Sequence, residues 1–270
     1  MRDLLVTGTD TGVGKTVIAA ALVTALRARG VHALGFKPAE TGIEPGQDRD
    51  SDVLARASGL HEALAAPLLQ LAEPLAPAVA ADRAGTGMNP HDVESRIAQL
   101  RHAGYTLVVE GAGGVMVPLA WDYTVLDLAR ACELEAIVVA RPGLGTLNHV
   151  SMTVTVLLAR EIAVRGVVLN GRSVTPDLPE LTNPAALARM LRGIPIVETP
   201  YLSSGSPVTA AAALVRGNGG SSVGGNGMLL MGGGALTLGL AAGAAAGGGG
   251  GIADAVGPTG DSGTGATCWQ

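Results

Sequence analysis

Aromatic side chains make up only 2% of the 270 residues, and phenylalanine occurs once. A chain this poor in rings offers no stacking platform for bases or sugars. Cysteine is scarce too. Cys132 and Cys268 are too few for a disulfide framework and form no C-x-x-C pair, which suits a reducing compartment. Positive charge is also in deficit, with 18 Lys and Arg against 23 Asp and Glu and a net charge of -5. That balance argues against a nucleic-acid binder working through bulk electrostatics. No basic segment followed by an apolar stretch and a cleavage site opens the chain, since Leu4–Thr7 runs straight into a glycine loop. The expectation is a cytoplasmic protein with neither nucleic-acid nor membrane partners.

What is present divides sharply along the chain. Residues 1–202 alternate apolar runs with charged helical stretches, whereas 203–270 are rich in Ser, Gly and Ala, with only Arg216, Asp254 and Asp261 charged. A segment without large side chains cannot offset the entropy cost of ordering it, so 203–270 is expected to be a disordered low-complexity tail. Met228–Ala246 is uncharged and long, yet its Gly/Ala content and lack of basic or aromatic flanks argue against a membrane span.

Short apolar runs at Leu4–Gly8, Ala33–Lys37, Thr106–Val109, Ala136–Ala140, Gly166–Asn170 and Ile194–Glu198 read as strands. Between them, helical spacing is seen over Thr16–Arg29, Asp50–Ala57, Pro90–His102, Val125–Cys132, Asn148–Ala163 and Pro184–Leu191. This alternation predicts an α/β fold: a doubly wound, mostly parallel sheet with helices on both faces. Such sheets bind ligands beyond the carboxyl ends of their strands.

The strongest motif stands at one of those ends. Gly8, Thr9, Asp10, Thr11, Gly12, Val13, Gly14, Lys15 and Thr16 follow a strand and open a helix, the context of a phosphate-binding loop. Glycines let backbone N–H groups turn toward phosphate oxygens, and the helix N-terminus adds its positive dipole end. Lys15 would reach the β- and γ-phosphates of ATP, and the Thr16 hydroxyl would take a Mg2+ position. The loop departs from plain G-x-x-x-x-G-K-T, because Gly8 comes one residue early. Glu110, closing a strand, and Asp52, opening a helix, are candidate metal carboxylates, although Asp52 could equally be a charge on the helix dipole and Asp48 and Asp50 stand beside it. Lys37 is either a second cation for the phosphates or an ordinary surface lysine. The histidines His61, His91, His102 and His149 lack metal-ligand spacing, and Cys132 reads as core.

These residues together resemble the dethiobiotin synthetase family over Leu4 to Leu202. The likeness rests on Val6–Thr11 with Val13–Thr16, on Phe36-Lys37-Pro38 with Thr41-Gly42, and on Ser51-Asp52 and Glu73-Pro74 with Pro77. Val109–Gly114 and Gly143–His149 complete it. The resemblance implies a ligase that joins 7,8-diaminononanoate and CO2 (or bicarbonate) into the cyclic urea of dethiobiotin, using ATP and Mg2+. It implies that Thr11 and Lys15 contact phosphate and that Gly113 belongs to the ATP site. Lys37 would bridge carbamate and γ-phosphate, Thr41 and Pro77 would face the substrate, and Thr16, Asp52 and Glu110 would hold metal. Asn170 matches the position that reads adenine. Leu144, Gly145, Thr146, Leu147 and Asn148 would hold the carboxylate of the substrate bound by a partner subunit, which implies a homodimer.

Two rival readings use the same loop. A cobyrinic acid amidase-like enzyme needs a glutamine-hydrolysing domain, which nothing after residue 203 could build. A ParA/MinD-like ATP-driven switch usually carries a second lysine inside the loop, where this chain has Thr and Gly.

Overall fold

The computed structural model describes residues 2–59, 64 and 66–200, together with the backbone of 228–231 and 234–237. Ten strands lie within the first of these regions: β1 (Leu4–Gly8), β2 (Ala33–Phe36), β3 (Ala39–Thr41), β4 (Leu69–Leu71), β5 (Thr106–Gly114), β6 (Pro118–Ala120), β7 (Tyr123–Thr124), β8 (Glu135–Ala140), β9 (Val164–Arg172) and β10 (Ile196–Pro200). The helices there are α1 (Lys15–Ala28), α2 (Asp50–Ser58), α3 (Pro77–Arg83), α4 (Pro90–His102), α5 (Val125–Ala131), α6 (Thr146–Ala159) and α7 (Leu178–Met190).

Six strands form one sheet in the order β10-β9-β8-β1-β5-β2, every pair parallel. Side chains alternate across a strand, and here both sides are covered. Leu4, Val6, Val108, Ile137, Val139 and Val168 pack under α1 and α2 on one face. Their neighbours Leu5, Leu107, Val109, Ala136, Val138, Val167 and Leu169 meet α4, α5 and α6 on the other. This two-sided burial is why the strands read as continuous apolar runs. The expected doubly wound parallel fold is thus observed.

Strand β1 is the switch point. The chain adds β2 and β5 on one side of it and β8, β9 and β10 on the other, so a crevice opens at its carboxyl end. The carboxyl ends of β2, β5, β8 and β9 lie along the same edge of the sheet.

Several boundaries differ from expectation. Strand β5 continues through Glu110 to Gly114, where a flexible glycine run was expected, because Gly114 pairs with Gly8 of β1. Helix α6 starts at Thr146 and ends at Ala159, not Asn148–Ala163. Helix α7 begins at Leu178, ahead of the expected Pro184, because the Asp177 carboxylate accepts from Glu180 N and caps it; Pro184 lies inside the helix. Strand β10 runs over Ile196–Pro200, two residues later than expected. Helix α3 and the β6–β7 hairpin carried no expectation.

Asp3 ties the sheet to its surroundings. Its buried carboxylate accepts from Leu107 N at 2.7 Å and from Arg101 Nε at 2.5 Å. Cys132 is buried, and burial pushes its thiol up to about 11, so it is an inert core residue as expected.

Within the expected tail, β11 (Met228–Met231) and β12 (Gly234–Thr237) pair antiparallel. The remainder of that expectation, with Cys268, lies outside the described residues, as does His61. No helix among the described residues is long and apolar enough to cross a membrane.

Candidate active site

The loop between β1 and α1 occupies the switch-point crevice. Gly14 is the N-cap of α1 at φ 92°, a conformation that suits glycine, and a Cβ there would lie 2.0 Å from Asn170 Nδ2. Without a side chain at Gly14 the backbone can crowd against Asn170, just ahead of Lys15 and Thr16. Thr9 N donates to Val139 O at 3.0 Å, so the loop is also tied to β8.

Four side chains meet at the base of the crevice. Glu110 is 1% exposed, and its Oε1 accepts from Thr16 Oγ1 at 2.9 Å and from Lys37 Nζ at 3.1 Å. Lys37 also forms an ion pair with Asp50 at the start of α2. Lys15 is 7% exposed and donates from Nζ to Asp10 O at 3.0 Å. Glu110 Oε2 is buried and has no hydrogen-bond partner among the described residues.

The electrostatics follow from burial and pairing. Burial pushes the Glu110 carboxyl above its ordinary range, with Lys37 opposing. Burial also lowers Lys15, with Glu110 opposing that shift. For Lys37 burial would lower the pKa as well, but the facing Glu110 and Asp50 carboxylates outweigh it and carry the ammonium above the ordinary lysine range. Lys37 is therefore a fixed cation held by two carboxylates, not a surface lysine.

Thr11, Gly12, Gly14, Lys15, Thr16, Lys37, Thr41, Pro77, Glu110 and Gly113 line one cleft of about 520 Å³. It extends from the loop past Ala39 and Thr41 to Pro74–Pro77 at the start of α3. Its composition fits a ligand with an anionic end and an apolar body.

Other expected residues lie apart. Asp52 does not line the cleft; Arg49 holds it bidentately, at 2.8 Å from both Nε and Nη2, and the Arg49 hydrogen bond lowers its pKa against burial. Asp50 lines the cleft instead. Spacing alone could not choose between two carboxylates two residues apart. Leu144, Gly145, Thr146, Leu147 and Asn148 form the N-terminal end of α6 and none lines the cleft; Gly145 is the N-cap at φ 93°, Leu144 is 92% exposed, and Thr146 is buried. Asn170, at the end of β9, donates from Nδ2 to Val13 O at 2.9 Å.

Two residues given no role from sequence also act on these loops. Arg141, at the end of β8, donates from Nη2 to Thr11 O at 3.0 Å. Asn183, buried in α7, donates from Nδ2 to Pro142 O at 2.8 Å and Gly143 O at 3.0 Å, holding the turn before α6. Both contacts join segments far apart in the chain, and no local pattern announces them.

A strand–glycine loop–helix unit at the switch point of a parallel sheet, with a buried lysine and hydroxyl at its base, defines a P-loop nucleotide-binding protein. A family model described as an AAA domain matches residues 2–222. The "ATP-dependent dethiobiotin synthetase BioD" of Anaeromyxobacter sp. (strain K) is 46% identical over 204 residues, 74% of this chain and 91% of the relative. The protein of the same name from Bacillus licheniformis is 40% identical over 212 residues, 77% of this chain and 89% of that one. The chain belongs to the dethiobiotin synthetase family. Among solved structures, the cell division ATPase MinD of Pyrococcus furiosus is similar at 18% identity and TM-score 0.49, covering 78% of this chain and 96% of its own.

Proposed function

We propose that this ligase closes 7,8-diaminononanoate and CO2 into dethiobiotin at the expense of ATP, and that the cleft described above is where it does so. The observation that carries the reading is the convergence of Lys15, Thr16, Lys37 and Glu110 at one end of a cleft whose other end is lined by Thr41 and Pro77, in a chain of this family.

The chemistry brings two anions together. One amine of the substrate takes up CO2 as a carbamate, whose oxygen attacks the γ-phosphorus of ATP. The bond between γ-phosphorus and the bridging oxygen breaks, ADP leaves, and a carbamic–phosphoric anhydride forms. The second amine then attacks the carbonyl carbon, expels phosphate and loses a proton, closing the urea. No side chain need act as covalent nucleophile, so the protein's contribution is positioning and positive charge. Lys15 and the loop N–H groups hold the phosphates, and Lys37 sits where carbamate and γ-phosphate would meet. Thr41 offers a hydroxyl to the substrate side.

The residues fit a magnesium ion. The partnerless Oε2 of Glu110 and the Thr16 hydroxyl beside it are hard oxygen ligands. No group of three or more His, Cys, Asp or Glu able to hold a metal occurs among the described residues, which agrees with an ion taking most of its oxygens from phosphate and water. When bound, it would neutralise charge on the transferring phosphoryl group. Thr16 and Glu110 would hold it. The family's third ligand, Asp52, would first have to leave Arg49, while Asp50 is the carboxylate already in the cleft.

The N-terminus of α6 presents backbone N–H groups suited to a carboxylate. Because none of its residues lines the cleft of its own chain, the reading requires that it serve the cleft of a second copy, in a homodimer. Cytoplasmic location is part of the same proposal.

The test is phosphate release from Mg-ATP with and without diaminononanoate and bicarbonate. Release that needs both, accompanied by dethiobiotin in the mass spectrum and lost in Lys15→Gln, supports the reading. Release indifferent to the diamine would sink it in favour of a switch-type ATPase.

A further inference from the structure

We propose that Thr199 is a positioning residue for the nucleotide loop and acts through Asn170. The inference rests on nucleotide binding at the loop and not on the ring closure.

Thr199 lies in β10, the edge strand of the sheet, and is 1% exposed. It pairs in register with Asn170 of β9, and its hydroxyl donates to Asn170 Oδ1 at 2.7 Å. The other end of that carboxamide donates from Nδ2 to Val13 O at 2.9 Å. Val13 is the residue before Gly14, which caps α1 ahead of Lys15 and Thr16. A line of two hydrogen bonds therefore runs from the edge strand to the loop beside β1, passing over β8.

The polarity of the line fixes its geometry. The Val13 carbonyl can only accept, so the amide nitrogen must face it, and Oδ1 is left for a donor. The Thr199 hydroxyl is that donor. Were the amide to flip, Oδ1 would oppose a carbonyl oxygen. The closeness of Gly14 to Nδ2 means that any shift of the amide is felt by the backbone from which Lys15 projects. Removing the hydroxyl leaves a carboxamide oxygen short of a partner and free to turn, which loosens the loop's grip on phosphate.

The test is calorimetric titration of the full chain with Mg-ATP. Thr199→Val should bind about three- to tenfold more weakly, the loss expected for one hydrogen bond, whereas Thr199→Ser should bind as the parent does. In an Asn170→Ala background, Thr199→Val should cost nothing further, because the effect passes through the amide. Asn170→Asp keeps an acceptor for Thr199 but turns an oxygen on Val13, and should weaken ATP at least as much. Unchanged ATP affinity in Thr199→Val or in Asn170→Asp overturns the proposal. So does an undiminished effect of Thr199→Val in the Asn170→Ala background. Absence of dethiobiotin formation by the parent chain, with ATP still bound, would refute the ring-closure reading and leave this one standing.

Discussion

Lys15 is costly to the fold that carries it. Its ammonium is buried, and burial holds its pKa below the ordinary lysine value, so folding disfavours the charged form. Lys15→Met should therefore raise the melting temperature of the nucleotide-free protein, by about 2–4 °C for each kcal/mol relieved at this size, while ATP turnover falls about 10²-fold or more. The sign fixes the pH dependence. A lysine with a lowered folded pKa costs stability fully below that pKa, and the cost fades as pH rises through it toward the unfolded value. The gap in melting temperature between parent and variant should thus be widest at neutral pH and close in alkali; a gap that widens there refutes the argument. At this scale the sequence was informative wherever chemistry and position coincide. Lys15, Thr16 and Glu110 are charged or hydroxylic residues placed where an apolar strand ends or a helix begins. Which of Asp50 and Asp52 enters the site, and what Arg141 holds, were not legible, because these roles come from partners brought near only by folding: Lys37 for Asp50, the Thr11 carbonyl for Arg141.

The elements show why some boundaries could be read and others not. Strand runs such as Leu4–Gly8 announce themselves because both faces are buried, and the cores of α1 and α4 carry helical spacing. Helix α7 does not, since Pro179 and Pro184 both fall inside it and the start depends on the Asp177 cap. The run Gly111–Gly114 has no side chains to mark it as strand, yet pairing with β1 makes it one. Helix α7 also reaches across to the turn before α6 through Asn183. Asn183→Ala leaves two carbonyls without their donor and should free that turn. In steady-state kinetics the KM for the diamine should rise about tenfold while the KM for ATP stays put, a split readily measured by varying each in turn. An ATP effect of equal size would show that the turn serves the nucleotide instead.

For the whole molecule, a parallel six-stranded sheet followed from the alternation of apolar and helical segments, and its switch point predicted where the site would be. The proposed sharing of sites between two copies rests on family resemblance, since a helix N-terminus facing solvent looks like any other cap. Sharing has a consequence that can be measured. Lys15→Gln disables the cleft and Asn148→Asp sets a negative charge at the start of α6 against the substrate carboxylate, so each protein alone should be inactive. Mixed and allowed to exchange subunits, they should regain about a quarter of parental activity, because half of the dimers are mixed and each mixed dimer carries one intact site. A mixture as inactive as its parts would mean that the two regions act within one chain or not at all. Finally, the double pairing of Lys37 with Glu110 and Asp50 means that its positive charge is already balanced within the fold. A bare anion arriving there finds its counter-charge already taken and must compete with two tethered carboxylates. Were the proposed magnesium ion held by Glu110, that carboxylate would turn from Lys37 and leave the ammonium to the phosphates.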